Sequence, residues 1–238
     1  MELPNRLKLE AAFARNLSRV SSRHRRELID LLGNPPDVNR VPEEFWSRVE
    51  TEEKNAVAAI LLLLMMQSAE AHFGLLPEFA QVGRTVDDFI PQIEAAANQR
   101  AADFSQQYVT TGRERLERFG RDTQARFGIG GQIHPQEIAD EATGIFGPSR
   151  DAGIAASETT GAASTGAETV IGQTVGFSEK DTWFTQEDQR VCPICEPLHE
   201  KPRSYWARFF PQGPPAHPKC RCWVEYSVEK LVPAGGVR

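Results

Sequence analysis

The placement of the cysteines is the feature that most constrains how this chain folds. All four cysteines of the 238-residue sequence lie in one stretch, together with two of its five histidines. The residues in question are Cys192, Cys195, His199, His217, Cys220 and Cys222. Such crowding of metal-ligating side chains predicts one small site that holds together a segment with little regular structure.

The spacing of the cysteines is typical of a tetrahedral metal site. A C-x-x-C pair lets a tight turn aim the sulfurs of Cys192 and Cys195 at one point. A C-x-C pair on an extended segment places Cys220 and Cys222 on the same side. Four thiolates, or three thiolates and one histidine, satisfy zinc. We therefore predict a structural zinc site, in which His217 and Cys222 are alternatives for the fourth ligand.

Other interpretations of the same residues stay open. An even number of cysteines also fits two disulfides or four unligated thiols, although a reduced compartment favours metal. A zinc deaminase would need an H-x-E motif, which the sequence lacks. A metal-dependent hydrolase or nuclease would need a histidine beside acidic residues, and His199, His217 and Asp188 are the candidates for that role.

The composition is ordinary for a soluble protein. Hydrophobic residues make up 40% of the chain and charged residues 25%, and the net charge of −6 argues against a protein that coats nucleic acid over its whole surface. The first ten residues lack the apolar core of a secretory signal. The longest apolar run, residues 56–66, is too short to span a bilayer. We expect a cytoplasmic protein that contacts no membrane.

Long amphipathic and apolar helices are predicted in the first half of the chain. Residues 3–32 carry an apolar stripe at helical spacing and a basic stripe offset to the far side. A helix over 43–73 has an apolar middle on every side, so we expect other helices or partner subunits to enclose it. A third helical segment covers about 85–119, where Pro91 marks a kink or the true beginning.

The basic stripe of the first helix is a candidate contact surface. It consists of Arg15, Arg19, Arg23 and Arg26. Such a row of guanidinium groups favours contact with DNA phosphate or with an acidic partner. The alternative interpretation is a solvated helix face with no binding role.

The second half of the chain changes character after a glycine-rich hinge at 128–131. Helices are predicted at about 134–147 and 149–171, the latter with a face of small residues that allows another backbone to approach closely. Strands are predicted at 183–185, 190–191 and 222–228. The predicted fold is α+β: a mostly helical N-terminal domain, residues 1–127, and a small α+β C-terminal domain with a cysteine/histidine knuckle, residues 134–228.

The sequence of the C-terminal region resembles a known family. The residues that carry the resemblance are Arg150 with Ile154-Ala155-x-x-Glu158, Trp183-x-Thr185-x-x-Asp188-x-Arg190-Val191-Cys192-x-x-Cys195, and Pro214-Pro215-x-His217-Pro218-x-Cys220-Arg221-Cys222. This pattern, over about residues 148–226, is similar to the C-terminal domain of phage Mu F-like minor head proteins, also called phage head morphogenesis proteins. The family has a glycine shortly after the second cysteine. Here Leu198 is followed by His199-Glu200, so the turn is expected to differ and His199 to have a local role.

The resemblance implies a virion component rather than an enzyme. Such minor capsid proteins are packaged in few copies inside the procapsid near the portal, and they act in head assembly and in some cases in DNA packaging or ejection. The expected partners are portal, capsid or scaffold proteins and viral DNA. The expected location is the interior of the phage head, after assembly in the bacterial host cytoplasm.

Two other functions remain as alternatives to a head component. One is a metal-dependent hydrolase or nuclease that acts on nucleic acid, which would keep one metal position open for water. The other is a host-side DNA-binding zinc protein, whose affinity would fall steeply with salt and depend on Arg15, Arg19 and Arg23.

Overall fold

Long helices dominate the computed structural model, which describes residues 2–186 and 192–228. The helices are α1 (Arg6–Leu32), α2 (Glu43–Phe73), α3 (Glu78–Gln81), α4 (Ile90–Phe127), α5 (Pro135–Ile145), α6 (Pro148–Thr174) and α7 (Arg203–Trp206). Short 3-10 helices cover Val38–Arg40, Val86–Phe89 and Glu196–Leu198. Strands β1 (Thr182–Phe184), β2 (Lys201–Pro202) and β3 (Trp223–Glu225) form one antiparallel sheet in the order β2-β1-β3. The prediction of a mostly helical α+β protein is confirmed.

The helix starts follow local sequence signals. Helix α2 begins at Glu43, as predicted, with two glutamates in its first turn facing the positive end of the helix dipole. Helix α4 begins at Ile90, so Pro91 lies in its first turn rather than at a kink. At α5, the side chain of His134 accepts a hydrogen bond from the backbone N–H of Gln136 at 3.2 Å, and Pro135 is the first helical residue. The predicted strand at 190–191 lies outside the described residues.

The chain folds into two compact units that are interleaved in sequence. The first, called here the cysteine unit, comprises Met1–Arg6, Leu62–Ala96 and Ala156–Arg238. The second, called the bundle unit, comprises Leu7–Leu61 and Ala97–Ala155. Each unit takes segments from both sides of the glycine-rich loop at 128–131. The units therefore do not follow the division into residues 1–127 and 134–228, and a separable C-terminal domain stays a prediction.

An aromatic cluster forms the centre of the bundle unit. The rings of Phe45 and Trp46 lie 5.1 Å apart, and Phe146 contacts both at 6.1 and 6.2 Å. Tyr108 of α4 contacts Phe146 at 5.9 Å. All four side chains are buried, so residues from α2, α4 and the end of α5 share one apolar core.

A buried polar network lies within the same unit. Ser21 donates to the carboxylate of Asp151 at 3.1 Å and is also 3.1 Å from the hydroxyl of Tyr108. Ser18 donates to Asp151 at 2.8 Å. Burial raises the pKa of Asp151, while these serine hydroxyls act against the increase. The network fixes the alignment of α1 with α4 and the first turn of α6, since each buried polar group depends on a partner from another helix.

Helix α2 is only partly enclosed. Leu64 and Met65 are fully buried, but the neighbouring Leu63 is 49% exposed. The expectation of enclosure on every side therefore does not hold for the described chain on its own. By length and composition, α2 is the one helix in residues 2–186 and 192–228 that could cross a membrane, a test that core helices of soluble proteins also pass.

Two helices approach closely in the cysteine unit, as the small residues of α6 predict. A Cβ built on Gly166 would lie 2.1 Å from the carbonyl oxygen of Met65, so only glycine fits there. Ser68 of α2 donates to the carbonyl of Ala163 at 2.6 Å. These contacts place the last turns of α2 against the middle of α6, where they face the segment that carries the cysteines.

Candidate metal centre

The first cysteine pair lies in a tight turn. The backbone N–H groups of Cys195 and Glu196 both donate to the carbonyl of Cys192 at 3.0 Å, and the 3-10 helix Glu196–Leu198 continues the turn. The N–H of Cys195 also lies 3.4 Å from the sulfur of Cys192. The turn thus holds the sulfur of Cys192 close to the backbone of Cys195.

The second turn contains the candidate ligand His217 and holds its ring in one orientation. The Nδ1 atom of His217 lies 2.8 Å from the carbonyl oxygen of Pro218. A carbonyl only accepts hydrogen bonds, so Nδ1 carries the proton and Nε2 keeps its lone pair. The turn then closes through the N–H of Cys220, which donates to the carbonyl of His217 at 3.1 Å. Lys219 between them adopts a left-handed conformation with φ of 64°.

The two turns bring all five predicted ligands into one cluster. The Nε2 atom of His217 lies 2.8 Å from the sulfur of Cys192 and 3.0 Å from that of Cys195. The sulfur of Cys195 lies 3.9 Å from that of Cys220. Cys195 belongs to two groups whose ligand atoms all lie within 4.8 Å of one another: one with Cys192 and His217, the other with Cys220 and Cys222. This cluster, called here the Cys4His cluster, could hold a metal ion.

His217 and Cys222 were predicted as alternatives for the fourth ligand, and the structure brings both of them close to Cys195. His217 contacts both cysteines of the first turn, whereas Cys220 and Cys222 form a second group with Cys195. Five candidate ligands are therefore available for the four positions of a tetrahedral ion. Neither group contains a carboxylate.

The buried sulfurs favour a bound cation, because neighbouring thiolates repel each other without one. The hydrogen bond from Cys195 is the main cause that lowers the pKa of Cys220, whereas the hydrogen bond to Cys220 raises the pKa of Cys195. Cys195 and Cys220 are each 1% exposed. Two buried thiolates side by side repel each other, so one of the sulfurs keeps its proton. A bound divalent cation removes that repulsion and lets several thiolates coexist.

A tryptophan-rich core surrounds the cluster. Trp183 of β1 packs on Trp206 of α7 at 5.6 Å and on Phe210 at 5.9 Å, and both tryptophans are buried beside Cys195, Cys220 and Cys222. The indole N–H of Trp206 donates to the carbonyl of Asp181 at 3.0 Å. Trp183 and Trp206 thus serve packing around the cluster.

His199 lies outside the Cys4His cluster. Its Nδ1 atom accepts from the backbone N–H of Thr185 at 3.2 Å, and its ring contacts Phe184 edge-on at 5.5 Å. Its local role is therefore to hold the turn after the second cysteine against β1. Asp188, the acidic candidate for a catalytic site, lies outside the described residues.

Arg6 also belongs to this site, although no sequence motif indicates it. Its guanidinium donates to the carbonyl of Cys220 at 3.3 Å and to the hydroxyl of Thr160. Thr160 in turn donates to the same carbonyl. Arg6 is buried, unlike the other arginines at the start of α1. The contact depends on tertiary structure, and no spacing rule would have found it.

The predicted basic stripe of α1 is exposed in the bundle unit. Arg15, Arg19, Arg23 and Arg26 all lie on the surface. Arg23 pairs with Glu52 at 2.5 Å, and Arg26 donates to the backbone carbonyl of Ser22 at 3.3 Å. The stripe is thus available to a partner, and its role in binding stays a prediction.

Comparison with protein-family models, with curated proteins and with solved structures finds no match to this chain. The resemblance to Mu F-like minor head proteins therefore depends on the quoted motifs alone.

Proposed function

We propose that this chain is a phage minor head protein whose cysteine unit is held together by a structural zinc ion. The observation that carries the proposal is the distance of 2.8 Å between the sulfur of Cys192 and Nε2 of His217. Cys192 belongs to the second of the three segments that carry the resemblance, and His217 belongs to the third. Two of these segments therefore meet at one chemical site, which supports a shared structural role.

Zinc suits this donor set best among common metals. Thiolate sulfur and imidazole nitrogen are its preferred ligands, whereas magnesium and calcium require oxygen. In a tetrahedral site with zinc–sulfur bonds of about 2.3 Å, neighbouring sulfurs lie about 3.8 Å apart. The separation of 3.9 Å between Cys195 and Cys220 agrees with that value.

A structural role fits the ligand set better than a catalytic role. Catalytic zinc keeps one position for water and takes three protein ligands, whereas structural zinc is closed by four. The Cys4His cluster offers five candidates, and its sulfurs are mostly buried. The polar rim of the cluster includes Thr185, Lys219 and Arg221 but no carboxylate among the described residues that line it.

The zinc proposal is tested by metal content. Protein purified without added metal should contain about one zinc per chain, and cobalt substitution should give the strong sulfur-to-cobalt absorption of a tetrahedral thiolate site. Cys195→Ser should abolish both, because Cys195 belongs to both ligand groups. Metal-free protein with an unchanged melting profile would refute a structural ion.

The head proposal is tested by co-assembly. Expression with the neighbouring head genes should place the protein in purified procapsids at few copies per particle, as mass spectrometry would measure. We expect Cys195→Ser to remain outside the particles if the cysteine unit carries the binding surface. Recovery of the wild-type protein only as a free monomer would contradict a head role. Zinc-dependent cleavage of DNA that Cys195→Ser abolishes would instead support the hydrolase or nuclease alternative.

A further inference from the structure

A small cavity lies in the cysteine unit next to the metal centre, and the candidate ligand Cys222 is among the residues that line it. Its walls come from α2 (Ser68 and His72), from α6 (Thr159 among others) and from β3 and the residue after it (Trp223 and Tyr226). The cavity volume is about 20 Å³. A cavity needs roughly 10–15 Å³ on this measure to hold one water molecule.

Three residues that line the cavity each carry a buried polar atom with no hydrogen-bond partner among the described residues. The three atoms are Nε2 of His72, Oγ1 of Thr159 and Nε1 of Trp223. His72 is 5% exposed and Thr159 is fully buried. Buried polar atoms are nearly always satisfied by protein or by ordered water, so three such atoms on residues that line one small cavity indicate a shared ligand.

The three atoms have complementary hydrogen-bonding roles. The Nδ1 atom of His72 lies 2.8 Å from the carbonyl oxygen of Ser68, which can only accept, so Nδ1 carries the proton and Nε2 is an acceptor. Burial lowers the pKa of His72 to about 4, so the ring is neutral around pH 7. The indole N–H of Trp223 is a donor, and the hydroxyl of Thr159 serves as either.

We propose that this cavity binds one long-lived water molecule that donates to Nε2 of His72 and accepts from Nε1 of Trp223, with Thr159 as its third partner. Water is the ligand that both donates and accepts within so small a volume. A metal cation is a poor occupant, because the residues that line the cavity include the hydrogen-bond donor Trp223 and the cationic Arg6.

The bound water would join three parts of the cysteine unit. Trp223 directly follows Cys222 in the chain, so the water would tie the end of the cysteine segment to α2 through His72 and to α6 through Thr159. None of the three partners of the water is a candidate metal ligand. The link would therefore persist in metal-free protein as long as the unit stays folded, which separates this inference from the zinc proposal.

The experiment detects water at the indole N–H of Trp223 in uniformly ¹⁵N-labelled protein. We expect a nuclear Overhauser cross-peak between this N–H and water, with the sign that a long-lived contact gives. The indole signal is assigned by its loss in Trp223→Phe. Trp206 provides the internal control, because its indole donates to the carbonyl of Asp181 and should show no such contact. A folded protein in which Trp223 also lacks the water cross-peak would overturn the proposal.

Two variants test the proposed partners. In Thr159→Val and in His72→Phe, the exchange of the Trp223 indole hydrogen with solvent should become about tenfold faster, since each change removes one partner of the water. Thr159→Val preserves the shape of the side chain, so it remains informative if His72→Phe fails to fold. Unchanged exchange in folded Thr159→Val, or crystallographic density larger than one water, would contradict the proposed site.

Discussion

The guanidinium of Arg6 donates a hydrogen bond to the carbonyl oxygen of Cys220, 3.3 Å away. Arg6 is only 6% exposed, and it also donates to Thr160, which donates to the same carbonyl. Cys220 is a candidate metal ligand, so the first residue of α1 helps to position the cysteine segment. Loss of a group that orients a metal ligand typically lowers metal affinity by roughly 10- to 100-fold.

Arg6→Met should weaken metal binding by about tenfold, because the Cys220 carbonyl loses its cationic donor. The free energy of unfolding should fall by about 2 kcal/mol, since a buried hydrogen bond to a charged group is removed. Zinc affinity is measured by competition with a chromophoric chelator, and stability by guanidinium unfolding at saturating zinc. Arg15→Met, at an exposed position of the same helix, should change neither quantity appreciably. Equal zinc affinity in Arg6→Met and wild type would show that Arg6 does not position the site.

His217→Gln and His199→Gln distinguish the two histidines of the cysteine stretch. His217 contacts two sulfurs, whereas His199 accepts from Thr185 outside the cluster. We expect His217→Gln to lose at least tenfold in zinc affinity and to shift the cobalt spectrum, because one ligand is removed. His199→Gln should keep the spectrum and the zinc content of the wild type. The opposite pattern would assign the ligand role to His199.

The fold could be predicted from the sequence wherever local signals decide it. Helix α2 begins at Glu43 and ends at Phe73, as the preceding Pro42 and the following Gly74 indicate. The sequence also predicted that the cysteines and His217 converge, because the short spacing within each pair restricts where the sulfurs point. The helix ends and the spacing within each pair are local signals. The meeting of the two pairs was predicted from the chemistry of a shared metal ion, which needs ligands from both.

Contacts between distant segments could not be predicted in this way. The helix predicted to end near residue 119 continues to Phe127. It passes through Gly120, a residue type that by itself indicates the end of a helix. A Cβ at Gly120 would lie 2.8 Å from a side-chain methyl of Val38, so packing rather than flexibility requires glycine there. The contacts of Arg6 with Cys220 and of His72 with its cavity are of the same kind, since no periodicity in the sequence reports them.

Gly166→Ala should destabilise the protein by about 1–3 kcal/mol, because the new methyl group would overlap the carbonyl oxygen of Met65. Backbone cannot move aside as a flexible side chain can. Gly172→Ala is the matched control on the same helix, since its nearest neighbours are ring atoms of Phe177 at 3.3 and 3.5 Å. Removal of a helical glycine favours the helix by up to about 1 kcal/mol, so the control should be neutral or slightly stabilising. Urea unfolding of both variants checks the comparison, and equal stability would argue against the close approach of α2 and α6.

Glu168 of α6 should make the stability of the protein depend on pH. Burial raises the pKa of its carboxyl from 4.5 to about 7, while the charge of Arg203 acts in the opposite direction. The folded state therefore binds this proton more tightly than the unfolded state does. The stability that the protonated group contributes is complete below pH 4.5 and is lost as the pH rises through about 7.

Glu168→Gln removes this dependence, because glutamine stays neutral at every pH. Above pH 7 the variant should be more stable than the wild type by up to about 3 kcal/mol, and the difference should vanish toward pH 4.5. Guanidinium unfolding of both proteins from pH 4.5 to 8.5, at one fixed free zinc concentration, measures the difference. Glu225→Gln, at an exposed position of β3, should follow the wild type across the whole range. A difference for Glu168→Gln that does not change with pH would mean that the carboxyl is already ionised in the folded protein below pH 7.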